Sequence, residues 1–123
     1  MGVAQNLQKM KVRKIKIPIY FGVVEIVVAK NLRKALIKHK EPLNGFKPEN
    51  YDAFVWDDLS SGLAVYKVYI KPTANRKTVA HEALHVVNLL FNNIGAKPDL
   101  NNDEPQAYLL GWVVEQIHKT LKK

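Results

Sequence analysis

The chain has no cysteine among its 123 residues, which excludes disulfides, thiol nucleophiles and cysteine-ligated metal sites. Any metal must then be held by His, Asp or Glu. Long apolar runs are also missing: nothing approaches the roughly 18–20 residues that a membrane span requires. Met1 to Lys16 is polar and basic, without the apolar segment of a secretory signal. After Gly2, Asn6 stands where a myristoylation motif requires Ser or Thr. A cytoplasmic protein without a membrane partner is expected. Acidic residues are scarce early: residues 1–50 carry 11 Lys and Arg against three Glu, whereas residues 51–123 carry eight of each sign. The net charge of +8 therefore belongs to the N-terminal half. That imbalance suits a solvated strand face with a basic leader, or a surface for nucleic acid or another acidic partner. No interleaving of Arg with aromatic residues marks a platform for single strands.

Hydrophobic residues make up 47% and charged residues 24%, the balance of a globular chain that fills one core. Residues 1–11 read as a basic leader and residues 12–123 as a single domain. From Val12, apolar Ile15, Ile17 and Ile19, with Arg13, alternate with Val12, Lys14 and Lys16, the pattern of a strand with one buried face. Phe21-Gly22 predicts a turn and Val23 to Ala29 a second strand, completing a hairpin. Asn31 to Lys40 has helical spacing, with Leu32, Ala35 and Leu36 on one side. Strands are predicted at Ala53 to Trp56 and at Leu63 to Ile70, separated by a turn cluster from Asp57 to Gly62. Asn75 caps a predicted helix from Arg76 to about Asn93, closed by Gly95. Asp103 and Pro105 open a last helix from about Glu104 to Leu121. The order β-β-α-β-β-α-α predicts an α+β domain, an antiparallel or mixed four-stranded sheet packed against three helices.

The third helix contains His81-Glu82-Ala83-Leu84-His85, an H-E-x-x-H pattern. Residues four apart on a helix lie one above the other, so both imidazoles can reach one ion at the ~2.0–2.1 Å of a zinc–nitrogen bond. Glu82 is placed to act as a general base towards water rather than as a ligand. Val79, Ala80, Ala83, Leu84, Val86, Val87, Leu90, Phe91 and Ile94 predict a largely buried helix, crossed by a polar line of His81, His85, Asn88 and Asn92. Polar groups so placed must be hydrogen-bonded or bind something. Two hydrogen-bonded core histidines are the plain alternative.

Catalytic zinc usually takes three protein ligands and a water. Glu104, 19 positions after His85 and in the first turn of the last helix, is the leading third candidate. A Glu there also complements the helix dipole without any metal. Glu115 and His118 follow on a similar face further along, and Asp103 serves better as the cap. Tyr108, one turn after Glu104, is positioned to donate to an oxyanion or to brace a ligand, or simply packs as an aromatic. Trp112 is expected to pack. Asn88 orients a histidine or bonds to a nearby loop.

The His81–His85 helix and the segment Asn102-Asp103-Glu104-Pro105-Gln106-Ala107-Tyr108-Leu109-Leu110-Gly111-Trp112 together resemble the gluzincin arrangement of thermolysin-type metallopeptidases. The likeness is closest to short zincin-like peptidases of bacteriophages and prophages, and with the preceding strands it spans roughly residues 12–121. The resemblance implies zinc ligands at His81, His85 and Glu104 and Glu82 as general base, with no definite substrate; a peptide or protein substrate is the expected partner. Tyr108 departs from the larger members, which often have an acidic residue there, and no second domain supplies a transition-state histidine. An extended substrate would pair with a sheet edge, for which Tyr66 to Ile70 is the expected strand. Two other function classes stay open. One is a catalytically weak protein of this fold that engages nucleic acid or a host protein through its basic half. The other is a structural metal site closed by a fourth ligand such as Asp103.

Overall fold

The computed structural model describes residues 10–122, so most of the expected leader, residues 1–9, lies outside the described residues. The elements are β1 (Lys11–Lys16), β2 (Val23–Val28), α1 (Leu32–Lys38), a 3-10 turn (Pro48–Asn50), β3 (Ala53–Asp58), β4 (Val65–Ile70), α2 (Arg76–Ile94) and α3 (Glu104–Lys122). The sheet has the order β1-β2-β4-β3. β1 pairs antiparallel with β2 and β3 antiparallel with β4, while the central β2–β4 pair is parallel. The fold is thus the α+β arrangement predicted from the periodicities, with a mixed sheet.

The composition of each strand explains its position. Val-Val-Glu-Ile-Val-Val in β2 is buried on both faces, as a central strand must be. Its one charge, Glu25, is 7% exposed and lies opposite Lys14 on one neighbour and Lys67 on the other, a cross-strand pairing of opposite charges. β1 alternates between half-buried and exposed residues, as an edge strand with one covered face does. Arg13 lies on the covered side, where its guanidinium donates to Gln116 Oε1 at 3.1 Å and Thr120 Oγ1 at 3.1 Å on α3. One of the basic residues that dominate the N-terminal half is therefore a structural anchor, and Lys14 and Lys16 face outward.

One face of the sheet (Val24, Ile26, Val28, Tyr66, Val68, Ile70) packs under α2 and α3, with Val79, Val86, Leu90, Val113 and Ile117 filling the interval. The other face receives α1, whose Leu32, Ala35 and Leu36 close over Val27 and Tyr69. Burying side chains of this size contributes about 1.5–3 kcal/mol each. α2 starts where Asn75 Oδ1 accepts the Thr78 N–H at 2.9 Å and stops at Gly95, whose φ of 76° is left-handed. The Ala96 N–H then returns to the Phe91 carbonyl at 2.9 Å.

Three expectations need correction. β1 stops at Lys16: Pro18 has no N–H for a ladder, and Ile19 leaves the strand with φ 72° at the centre of a turn closed by the Tyr20 N–H on the Pro18 carbonyl at 2.7 Å. Ile17 is buried, but Ile19 is 97% exposed. β3 runs through Asp57 and Asp58, which read as turn residues, because both charges find partners. Asn93 Nδ2 donates to Asp57 Oδ2 at 2.9 Å, and Lys67 Nζ lies 3.3 Å from Asp58 Oδ2. Tyr66 to Ile70 is not an edge: β4 is flanked by β2 and β3, and the edge on that side is β3.

Candidate metal centre

A cavity of about 390 Å³ opens between α2 and β3. His81, Glu82, His85, Asn88, Leu89 and Asn92 line it from the helix, and Tyr51, Ala53, Phe54 and Val55 from the strand side. The polar line predicted on α2 does converge on one space, but it runs along the rim of the buried face. Ala80 is exposed, and so are Leu84 (48%) and Ile94 (44%), so less of the helix is buried than its composition implies.

Within this cavity the Nε2 atoms of His81 and His85 lie 3.1 Å apart, with their rings nearly perpendicular at 79°. Two bonds of ~2.0–2.1 Å meeting at a tetrahedral angle span about 3.3–3.4 Å. The observed 3.1 Å is about 0.2–0.3 Å short of that bite, close enough for one ion to be shared after a small opening of the rings, and it suits an N–H···N hydrogen bond between the rings as it stands. Glu82 is only 6% exposed. Burial pushes its carboxyl pKa up, opposed in part by the charges of His81 and His85. Among the described residues no hydrogen bond reaches that carboxylate, which lines the same cavity as both imidazoles. The cavity thus holds a carboxylate whose pKa burial raises together with two converging imidazoles.

The other candidates lie elsewhere. Glu104 is the exposed first residue of α3, and neither it nor Tyr108, which is 77% exposed, lines the cavity. Glu115 lies 3.6 Å from Lys119, and His118 is half-buried further along α3. The Asp103 carbonyl accepts the Ala107 N–H at 2.9 Å, closing the first turn of that helix. Trp112 packs on the main core, as expected. Among the described residues no three His, Cys, Asp or Glu side chains are grouped to hold a metal; His81, Glu82 and His85 share the lining of one cavity, which Glu104 does not reach.

The strand wall of the cavity was invisible in the sequence. Ala53 and Val55 alternate correctly to face α2, but only the strand order brings β3 beside that helix. Among the described residues β3 has a partner on one side only. The Lys71 N–H donates to the Asp52 carbonyl at 2.9 Å, and those residues continue the β3–β4 register. In an antiparallel ladder, alternate residues turn both backbone groups towards the partner. Phe54, Trp56 and Asp58 therefore face β4, while Ala53, Val55 and Asp57 direct N–H and C=O to the unpaired edge beside the cavity.

Compared with protein-family models, curated proteins and solved structures, the chain matches none of them. Among the described residues no helix is long and apolar enough to cross a membrane.

Proposed function

We propose that this chain is a zinc-dependent peptidase of the zincin kind, acting on an extended peptide or protein segment. The observation that carries the reading is the 3.1 Å approach of His81 and His85 Nε2 in a cavity shared with the buried Glu82. His81 and His85 would hold the ion; the third ligand that the resemblance implies, Glu104, does not line the cavity and would have to be brought to the ion from the exposed first turn of α3. Zinc in such a site supplies Lewis acidity towards a carbonyl and a water. Glu82 accepts the proton of the attacking water and returns it to the leaving amine; burial makes it a better base than an ordinary surface carboxylate. The outward N–H and C=O groups of Ala53 and Val55 hold the substrate backbone by strand addition, without a demand on its sequence.

The test is zinc stoichiometry and peptide turnover for the full chain and three variants. The wild type should bind one zinc and cleave an unstructured protein substrate. His85→Ala and Glu104→Gln should lose the metal, and Glu82→Gln should keep it with turnover reduced by about a hundredfold or more. A wild type that takes up no zinc after purification without chelators refutes the reading. Undiminished turnover in Glu82→Gln removes that residue from the chemistry.

A further inference from the structure

A second cavity, of about 360 Å³, lies against the same unpaired strand on the α1 side of the sheet. Leu36, Pro42, Phe46 and Trp56 form its apolar walls, and Phe54 and Val55 line both cavities. The walls brace one another: the Phe46 ring meets Phe54 edge-on at 4.9 Å, and Trp56 stacks on Phe54 at 5.9 Å. Glu41 also lines this cavity, and its carboxylate is neutralised by Lys67. Burial works against the Lys67 charge, but the hydrogen bond and charge of Glu41, followed by Asp58, outweigh it and raise the pKa.

The pleat of the sheet links the two cavities. Residues directly opposite one another across a ladder share a face, and successive residues alternate faces. A chain added to β3 therefore places the side chain opposite Val55 towards His81 and His85. Its immediate neighbours, opposite Phe54 and Trp56, turn their side chains to the aromatic cavity.

We propose that this aromatic cavity is a selectivity subsite. It takes a large apolar side chain, aromatic or Leu-sized, from the residue adjacent in sequence to the one that faces the histidines. The inference rests on the peptidase reading for its choice of an extended peptide as occupant, and it adds the class of peptide preferred. Continuity through the free backbone of Val55 is what commits the cavity to a strand-like ligand rather than to an unrelated small molecule.

The experiment titrates isotope-labelled full-length Glu82→Gln protein with two capped heptapeptides. One is Lys-Thr-Phe-Thr-Phe-Thr-Lys, and the other has Ser in place of both Phe. The Phe peptide should bind roughly ten- to hundredfold tighter, the worth of one buried apolar side chain. It should also move the amides of Val55 and Trp56 and the Trp56 indole N–H. Phe46→Ala should reduce its affinity to that of the Ser peptide, and Phe46→Leu should restore most of the difference. Equal affinities for the two peptides, or a preference that survives Phe46→Ala, overturn the inference; the first comparison needs no variant of the subsite to fold. A protein that takes up no zinc yet shows this preference at β3 refutes the peptidase reading alone. A zinc peptidase indifferent to the two Phe residues refutes the subsite alone.

Discussion

Tyr69 offers a perturbation whose sign runs against intuition. Its side chain is fully buried between α1 and the sheet, stacked on Trp56 at 5.2 Å and Phe54 at 5.7 Å, with His39 edge-on at 6.0 Å. Its hydroxyl has no hydrogen-bond partner among the described residues. Burial, and then the charges of Glu41 and Glu25, push its pKa above the ordinary tyrosine value, so the group is a neutral phenol at any practical pH. An unsatisfied buried hydroxyl costs about 1–3 kcal/mol, and Tyr69→Phe deletes it while keeping the ring and its stacking. The variant should therefore be more stable than the parent by about 1–3 kcal/mol. At roughly 4 °C per kcal/mol for a domain of this size, its Tm should rise by about 4–12 °C. Urea and thermal unfolding followed by far-UV circular dichroism measure both. A fall in Tm would refute the reasoning, since it would mean that the hydroxyl has a bonding partner in solution.

Asn93 ties the end of α2 to the sheet by donating to Asp57 Oδ2 at 2.9 Å and to Tyr66 Oη at 3.0 Å. Asn93→Ala should lose about 1–3 kcal/mol in the same unfolding assay, and an unchanged midpoint would discount the tie. The Asp58 carboxyl is held down to about 2, first by the Ser60 hydroxyl, next by the Ser60 N–H and then by Lys67. A depressed acid stabilises the fold fully above its unfolded pKa of about 4 and loses that effect as the pH falls towards 2. Carboxyl titration by NMR should place Asp58 near the lower value, and Ser60→Ala should move it upward; a titration already near 4 in the wild type would contradict the turn geometry.

How much of this was legible beforehand follows from the range of each interaction. The helices were readable almost to the residue, because caps are local: Asn75 lies three residues before the N–H it accepts, and Gly95 ends α2 within the same turn. The His81–His85 approach is local too, fixed by one helical turn. Strand ends were less secure. Asp57 and Asp58 belong to β3 only because Asn93 and Lys67, distant in sequence, compensate them. Strand order was less secure: Val23–Val28 and Val65–Ile70 do take the central positions their composition fits, but nothing in β3 marks it as the edge beside α2. That is why the wrong strand was expected at the cavity. The same distance dependence governs Glu104, whose placement turns on the whole 95–103 connection rather than on any nearby side chain.

An unpaired strand beside a cavity is useful to an enzyme and hazardous to a protein in solution, because it can template pairing between copies. Here the edge is six residues long and is bracketed by acids, with Asp52 before it and Asp57 and Asp58 at its end. Like charges brought together at matching positions repel, so two such edges meeting head-on are disfavoured. Shortness and bracketing acids discourage fibrous self-association at this edge.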